Sequence, residues 1–277
     1  MTVEIAYLGP VGTFSEEAAL RFAGTLSGEA KLLPCPTIED CAETVEDGTA
    51  SFAVVPLENS LEGSVNITLD LLTTSAELRI CAELVLAIEQ NLLVADGGLG
   101  EIKQVYSHPQ AMAQCRNFLR RSLPAAEKVP VVSTSEAAST AAKLGVGAAA
   151  IGSRRAAELY GLKICAAAVQ DNGNQTRFVI LGRQGSLAGT PEKTSLLFAV
   201  KDGPGSLFRV LQSFAVHGVN LTKIESRPAK RQLGDYLFFV DLAGTPENQT
   251  IMAALREASR EAVMLKLLGT YAVMKDV

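Results

Sequence analysis

Apolar and polar positions follow one repeating order through the first two thirds of the chain. Residues 3–8 form an apolar run of strand length, Gly9 and Pro10 interrupt it, and residues 16–22 continue at helical spacing. The order returns at 51–55, followed by a loop over 56–60 and a helix opening near Ser64 or Val65. It returns again at 104–106, where Ser107, His108 and Pro109 lead into helical spacing over 110–121, proline suiting the first helical position. Residues 131–132 lead through Ser133, Thr134 and Ser135 to an alanine-rich helix over 136–144, and residues 148–151 lead through Gly152 and Ser153 to a helix over 154–160. Repeated strand–loop–helix units predict an α/β fold with largely parallel sheets.

Residues 78–95 are apolar but punctuated by Glu83, Glu89 and Asn91, which predicts a long strand crossing from one lobe to another, with a return over 166–171. The expected first lobe holds residues 1–77 and 170–183, the second holds 78–169, and the cleft between them is the default ligand site. Residues 171–178 (Asp-Asn-Gly-Asn-Gln-Thr-Arg-Phe) lead into a strand at 178–181 and lie at the hinge. Residues 184–193, rich in glycine and polar residues, read as a linker. Beyond it strands at 194–200, 219–226, 235–242 and 264–274 and helices at 204–217 and 246–262 give the order βαββαβ, a ferredoxin-like domain over 194–277.

Composition narrows the function. With 277 residues, 48% of them hydrophobic, the chain has enough apolar material for two cored domains. A net charge of −5, with no basic run longer than Arg154-Arg155 or Lys230-Arg231, argues against a general nucleic-acid or membrane surface. An anionic ligand must therefore be held locally. The 5 cysteines show no CxxC spacing, as expected of buried free thiols in a reducing compartment, and no uncharged apolar run approaches membrane-spanning length. A cytoplasmic location is expected.

Within 171–178 one hydroxyl, one permanent cation and several amides lie together, with no histidine, cysteine or metal-ligand pair. That set binds anions and donates hydrogen bonds; it is poorly suited to nucleophilic or metal-assisted chemistry. Thr13, Ser15, Ser60, Ser64, Ser107, Ser133, Thr134, Ser135 and Ser153 recur where strands end and helices begin. Helix capping is the ordinary role of each. As an ensemble, such helix ends give an acidic protein a way to hold a small dianion without a basic patch.

The order of four motifs resembles the monofunctional prephenate dehydratases: Tyr-Leu-Gly-Pro-Val-Gly-Thr-Phe-Ser at 7–15, Val-Pro-Leu-Glu-Asn-Ser at 55–60 with Gly63 and Val65, Ser-His-Pro-Gln at 107–110, and Asn-Gln-Thr-Arg-Phe at 174–178. The second half is similar to phenylalanine-binding ACT domains at 203–207 (Gly-Pro-Gly-Ser-Leu), where Ser206 replaces a common alanine, and at 225–228 (Glu-Ser-Arg-Pro). The resemblance implies a two-lobed catalytic domain like the type II periplasmic binding proteins, followed by a regulatory ACT domain. It also implies conversion of prephenate to phenylpyruvate in phenylalanine biosynthesis, without cofactor or metal, and feedback by L-phenylalanine.

The resemblance gives Thr176 the essential hydroxyl. Elimination needs help for a poor leaving group, and Thr176 is the candidate to orient or relay a proton to it. Arg177 is expected to grip the pyruvyl carboxylate, so that Arg177→Lys costs mainly substrate affinity. Asn59 and Ser60 complete the expected catalytic set, although loop amides and hydroxyls as often satisfy backbone. The matched motifs add Gly12, Thr13, Phe14, Glu58, Ser107, Gln175 and Phe178 as substrate-binding candidates; Glu58 is read either as a cap or as a general acid. His108 serves either as an acid or as a helix start, and His217 as a helix-end residue. For the effector, Gly203, Pro204 and Gly205 are expected to bend into a helix start whose N–H groups meet a carboxylate, while Glu225 and Ser226 are read either as receiving the ammonium or as completing the pocket across a subunit boundary. Ser206, Leu207 and Arg227 complete that set. Exposed sheet edges suggest a homodimer or homotetramer. The alternatives are arogenate as substrate, or a non-catalytic two-lobed amino-acid sensor.

Overall fold

A computed structural model describes residues 2–183, 187, 189–228 and 236–274. Of the expected linker, residues 184–186 and 188 lie outside the described residues, as do 229–235 of the C-terminal domain, including the first residue of the strand expected over 235–242, and 275–277.

The chain begins with β1 (Val3–Leu8), α1 (Phe14–Gly24), β2 (Ala30–Cys35), α2 (Ile38–Glu46), β3 (Phe52–Asn59), β4 (Gly63–Ser64), α3 (Asn66–Thr74) and β5 (Arg79–Ala87). Polar residues set the helix starts. The Thr13 side chain accepts from the Glu16 N–H, and Thr37 and Asp40 form a capping box that opens α2. The chain then enters a second lobe: β6 (Asn91–Val94), β7 (Gln104–Ser107), α4 (Pro109–Gln114), α5 (Arg116–Ser122), β8 (Glu127–Pro130), α6 (Thr134–Leu144), β9 (Ala148–Gly152), α7 (Arg154–Tyr160) and β10 (Lys163–Ala166). It returns through β11 (Gln175–Gly182). The C-terminal unit is β12 (Lys193–Ala199), α8 (Ser206–Val216), β13 (Leu221–Pro228), β14 (Tyr236–Ala243), α9 (Gln249–Glu261) and β15 (Met264–Met274), the expected βαββαβ order.

The second lobe is one sheet in the order β10-β6-β9-β7-β8, parallel at β7–β8 and β7–β9 and antiparallel at β6–β9 and β10–β6. The first lobe and the C-terminal unit share a single sheet, β13-β14-β12-β15-β5-β11-β3-β1-β2, with β4 on β3. Their junction is the parallel pairing of β15 with β5, Ala272 beside Ala82 and Met274 beside Leu84. Gly269 makes the approach possible, because a Cβ there would lie 2.1 Å from the Ile80 carbonyl oxygen.

Strand parity divides the core. Phe178 and Ile180 pack with Ile5, Tyr7 and Phe22 on one face of the first-lobe sheet. Val179 and Leu181 pack on the other with Val55, Leu57 and Leu72, joined by Leu197, Phe239, Leu268 and Tyr271 of the C-terminal unit. The two units therefore share one apolar core as well as one sheet.

Three sequence expectations change. β5 hydrogen-bonds along β11 from Gln175 beside Ala87 to Gly182 beside Arg79, so the first lobe extends to residue 87 rather than ending at 77. The crossing to the second lobe occupies Ile88, Glu89 and Gln90, where the return segment, irregular rather than a strand, meets it: Val169 N–H donates to the Gln90 carbonyl at 2.8 Å. Residues 131–132 are not a strand, since β8 ends at Pro130, and the helix expected over 110–121 breaks at Cys115 (φ −109°, ψ 18°).

Candidate active site

Between the lobes a cleft of about 350 Å³ is lined from both sides. The first lobe contributes Thr13, Phe14 and Ser15 at the start of α1, Asn59 at the end of β3, and Thr176 and Phe178 of β11. The second contributes His108, Gln110 and Gln114 of the α4 region and Ser133 and Thr134 at the start of α6. Asn174 and Gln90 line it at the crossings. Among the described lining residues there is no lysine, arginine, aspartate or glutamate. The lining carries no permanent charge and is faced by the first turns of α1 and α6, whose N–H groups lack intrahelical partners.

Its centre is a hydrogen-bonded chain of amides ending on one hydroxyl. In the antiparallel β3–β11 pairing Thr176 stands opposite Asn59. Asn59 Oδ1 accepts from the backbone N–H groups of Leu61 (2.9 Å) and Glu62 (3.1 Å), which orients the amide so that Nδ2 donates to Thr176 Oγ1 at 2.9 Å and to Asn174 Oδ1 at 2.8 Å. Asn174 is turned in its own right by donating to Gln114 Oε1 at 3.3 Å. Thr176 Oγ1 thus receives a hydrogen bond while the hydroxyl retains its proton for a donor role, and Thr176 is only 8% exposed. The same network explains Ser60: it accepts from the Gln175 N–H at 2.9 Å and donates to Asn174 Oδ1 at 3.3 Å, holding the loop rather than lining the cleft.

Several expected contacts lie elsewhere. Arg177 points away from the cleft because neighbours on a strand face opposite ways. Its guanidinium is bound by Glu83 of β5 (Nε–Oε2 2.7 Å), by Asp241 of β14 (Nη1–Oδ2 2.6 Å) and by the Tyr271 hydroxyl of β15 (3.0 Å). Burial alone lowers its pKa, but Asp241, Tyr271 and Glu83 outweigh that and hold it above the ordinary guanidinium value. The expectation of a carboxylate clamp at Arg177 is therefore corrected. Glu58 lies on that same far face, 2.8 Å from Lys223 Nζ, and Gln175 does not line the cleft. Ser107 is fully buried and donates to the Ile151 carbonyl at 2.9 Å, a structural bond.

Gly12 closes the lobes rather than lining the site. Its carbonyl accepts from Ser153 Oγ at 2.8 Å, its N–H donates to Glu16 at 2.6 Å, and Glu16 reaches Arg155 of the second lobe at 3.3 Å. With φ +83°, and with Ser135 Oγ 2.8 Å from where a Cβ would stand, only glycine fits that contact. Thr13 both lines the cleft and caps α1; His108 lines it while its Nδ1 accepts from the Gln110 N–H at 3.3 Å. His217 ends α8 and pairs with Glu257 at 3.0 Å.

The sequence reading missed Gln90 and Gln114. Gln90 is 4% exposed, and its Oε1 has no hydrogen-bond partner among the described residues although it lies in the cleft wall. The only signal available was the polar interruption of an apolar crossing.

In the C-terminal unit, Gly205 (φ +78°) ends the Gly-Pro-Gly bend as the cap of α8, and Ser206, Leu207 and the helix follow. Glu225 and Arg227 of β13 reach the first lobe: Glu225 bonds Ser64, and Arg227 bonds the Asn66 carbonyl at 2.7 Å and Asp70 at 3.3 Å. No helix among the described residues is long and apolar enough to cross a membrane, and no group of three or more potential metal ligands occurs among them.

Comparison with known proteins agrees with this architecture. The family model for prephenate dehydratase matches residues 5–186 and that for the ACT domain matches residues 194–260. The prephenate dehydratase of Methanocaldococcus jannaschii is 38% identical over 99% of both chains. The crystal structure of the Arthrobacter aurescens prephenate dehydratase in complex with L-Phe superimposes with a TM-score of 0.86 at 37% identity, covering 98% of this chain and 90% of that one. GqqA, a quorum-quenching acylase, also superimposes with a TM-score of 0.86, at 33% identity over 98% of both chains. The chain belongs to the prephenate dehydratase family and carries an ACT domain after its two-lobed catalytic domain.

Proposed function

We propose that this chain is a prephenate dehydratase of L-phenylalanine biosynthesis and that Thr176 assists departure of the ring hydroxyl. The observation that carries the role of Thr176 is the 2.9 Å bond from Asn59, which occupies an acceptor site on its oxygen and leaves its proton to give. The C–C bond to the ring carboxylate breaks to release carbon dioxide, and its electron pair completes the aromatic ring. The C–O bond breaks at the opposite ring carbon, and the departing oxygen takes a proton relayed through the Thr176 hydroxyl from solvent. Such assistance is typically worth about 100- to 10,000-fold in rate.

A lining without lysine or arginine suits this reaction. A cation paired with the ring carboxylate would stabilise the charge that must disperse as carbon dioxide forms. The first turns of α1 and α6 offer N–H groups to the carboxylates without that penalty, and Phe14 and Phe178 supply apolar surface for the ring. Substrate contact by Thr13, Phe14, Asn59 and Phe178 follows from their place in the lining.

The test is conversion of prephenate to phenylpyruvate by purified protein, followed by absorbance in base, with arogenate in parallel and L-phenylalanine added as effector. Prephenate turnover abolished by Thr176→Ala supports the reading; no turnover of prephenate by the parent protein sinks it. The likeness to GqqA makes amide hydrolysis the second reading. N-acyl amide substrates offered to the same preparation separate the two.

Feedback by L-phenylalanine through Gly203, Pro204, Gly205, Ser206, Leu207, Glu225, Ser226 and Arg227 is part of this proposal. So is a homodimer or homotetramer: β13 is an outermost strand of the shared sheet, and Phe208 and Val216 of α8 are 64% and 62% exposed. Sedimentation with and without L-phenylalanine tests both. The free cysteines, four of the five buried, fit a reducing cytoplasm.

A further inference from the structure

We infer that Glu58 and Arg177 are positioning residues through which the ACT sheet sets the geometry of the Asn59–Thr176 pair. The inference rests on the dehydratase reading of the cleft and concerns how that site is controlled.

Two adjacent cross-strand pairs carry it. In the β3–β11 register Thr176 lies opposite Asn59 and Arg177 opposite Glu58. Because side chains alternate along a strand, the first pair faces the cleft and the second faces the ACT domain. A displacement of either far-side residue is transmitted through one peptide unit to its catalytic neighbour.

The far side is gripped by three ACT strands. Asp241 of β14 and Tyr271 of β15 hold the Arg177 guanidinium at 2.6 and 3.0 Å, and Lys223 of β13 holds Glu58 at 2.8 Å. Ser195 of β12 ties the first two together, with oxygen–oxygen distances of 2.5 Å to both Asp241 and Tyr271. Lys193 Nζ, 2.6 Å from Glu83, supplies the second cation that balances Glu83 and Asp241 around Arg177. The buried part of this set, Arg177 with Glu83 and Asp241, resists displacement: moving one member leaves a charge unpaired, so ACT strands and catalytic strands shift as a unit.

The geometry also supplies an input. Lys223 Nζ lies 2.8 Å from Glu58 and 3.3 Å from Glu225, and Glu225 belongs to the segment assigned above to effector binding. An effector ammonium that draws Glu225 away leaves Lys223 to Glu58 alone and changes the tension on the residue next to Asn59. The connection from effector segment to catalytic hydroxyl thus runs Glu225, Lys223, Glu58, Asn59, Thr176.

The test compares variants on the two sides of the ACT contact in the full chain. Asp241→Asn loosens the Arg177 grip. Glu58→Gln combined with Lys223→Met removes both charges of a partly exposed ion pair and leaves Glu225 its hydrogen bond from Ser64, so it keeps the fold in play should Asp241→Asn fail to fold. Lys266→Met is the control. Its amine also ties the ACT domain to the first lobe, through the Leu72 carbonyl at 2.8 Å, but touches neither Glu58 nor Arg177. Expected for the double variant, and for Asp241→Asn if folded, is a fall in kcat of about 10-fold or more with KM within about twofold, and a diminished response to L-phenylalanine. Lys266→Met should keep both the parent kcat and the response.

Parent kcat and parent phenylalanine response in the double variant overturn the inference, as does an equal loss in Lys266→Met, which would assign the effect to docking in general. A parent protein that turns over prephenate while these variants behave that way sinks the inference alone. A parent protein that does not turn it over sinks the dehydratase reading with it.

Discussion

Asn59 and Thr176, separated by 117 positions in sequence, meet side by side across β3 and β11 with the amide donating to the hydroxyl at 2.9 Å. The direction of that bond matters more than its length, because a threonine that accepts here still has its proton. Asn59→Asp replaces the donor with a carboxylate that accepts a hydrogen bond from the Thr176 hydroxyl, engaging the proton that the reaction needs. The expected result is a kcat lower by roughly 100-fold with KM little changed, measured by steady-state kinetics on prephenate. An equal loss in KM would show that Asn59 works as a binding group.

Gln90 offers a test in the opposite direction. A buried amide oxygen without a partner costs about 1–3 kcal/mol, and in a cleft wall it is placed to accept from a ligand donor. Gln90→Met should therefore raise the unfolding free energy of the free protein by about 1 kcal/mol while raising KM about 10-fold. Denaturant titration and kinetics on one preparation check both; a destabilised variant with unchanged KM would make Gln90 a structural residue.

For Arg177 the expected loss is stability rather than substrate affinity. Arg177→Met leaves Glu83 and Asp241 buried without their guanidinium, a change that typically costs about 3–5 kcal/mol. Thermal unfolding should show it plainly, and any folded fraction should bind substrate with a KM close to the parent's. A large rise in KM without loss of stability would restore the carboxylate clamp.

The cysteines give the pH dependence. Burial pushes the Cys81 thiol up from 9.0 to about 11, and burial followed by the nearby Asp171 pushes Cys115 up to about 12. Between those values the unfolded chain has lost protons that the folded protein keeps. The stabilisation is complete below pH 9 and is lost as pH climbs through 11 and 12. Each thiol contributes a slope of about 1.4 kcal/mol per pH unit in its window. Urea midpoints from pH 8 to 11 should fall, less steeply for Cys81→Val, and both thiols should resist alkylation at pH 8 until the protein is unfolded. A flat profile would contradict the assignment.

Much of this was legible in the chain itself. The strand–loop–helix succession, the second lobe between two crossings, the βαββαβ order and the cleft position of Thr176, Asn59, Thr13 and Phe14 all follow from local patterning and motif order. β5 was displaced to the wrong lobe because the strand is nearly wholly buried from Ile80 to Leu84, so the alternation that marks a half-exposed strand is missing. The helix break at Cys115 carries no glycine or proline to announce it. Arg177 was misplaced for a different reason. Polar density suggested one cluster, yet Thr176 and Arg177 are neighbours on a strand and cannot serve the same face. Gln90 and Gln114 belong to no motif, and only packing brings them to the cleft.

The hydroxyl of Thr176 is the centre of the account, and kcat for prephenate in Thr176→Ala and Thr176→Ser measures its part directly. The expected result is a fall of at least about 100-fold for alanine with KM within about twofold, and recovery of most of that loss in serine, which keeps the O–H and drops only the methyl group. Full-speed turnover by the alanine variant would contradict the account.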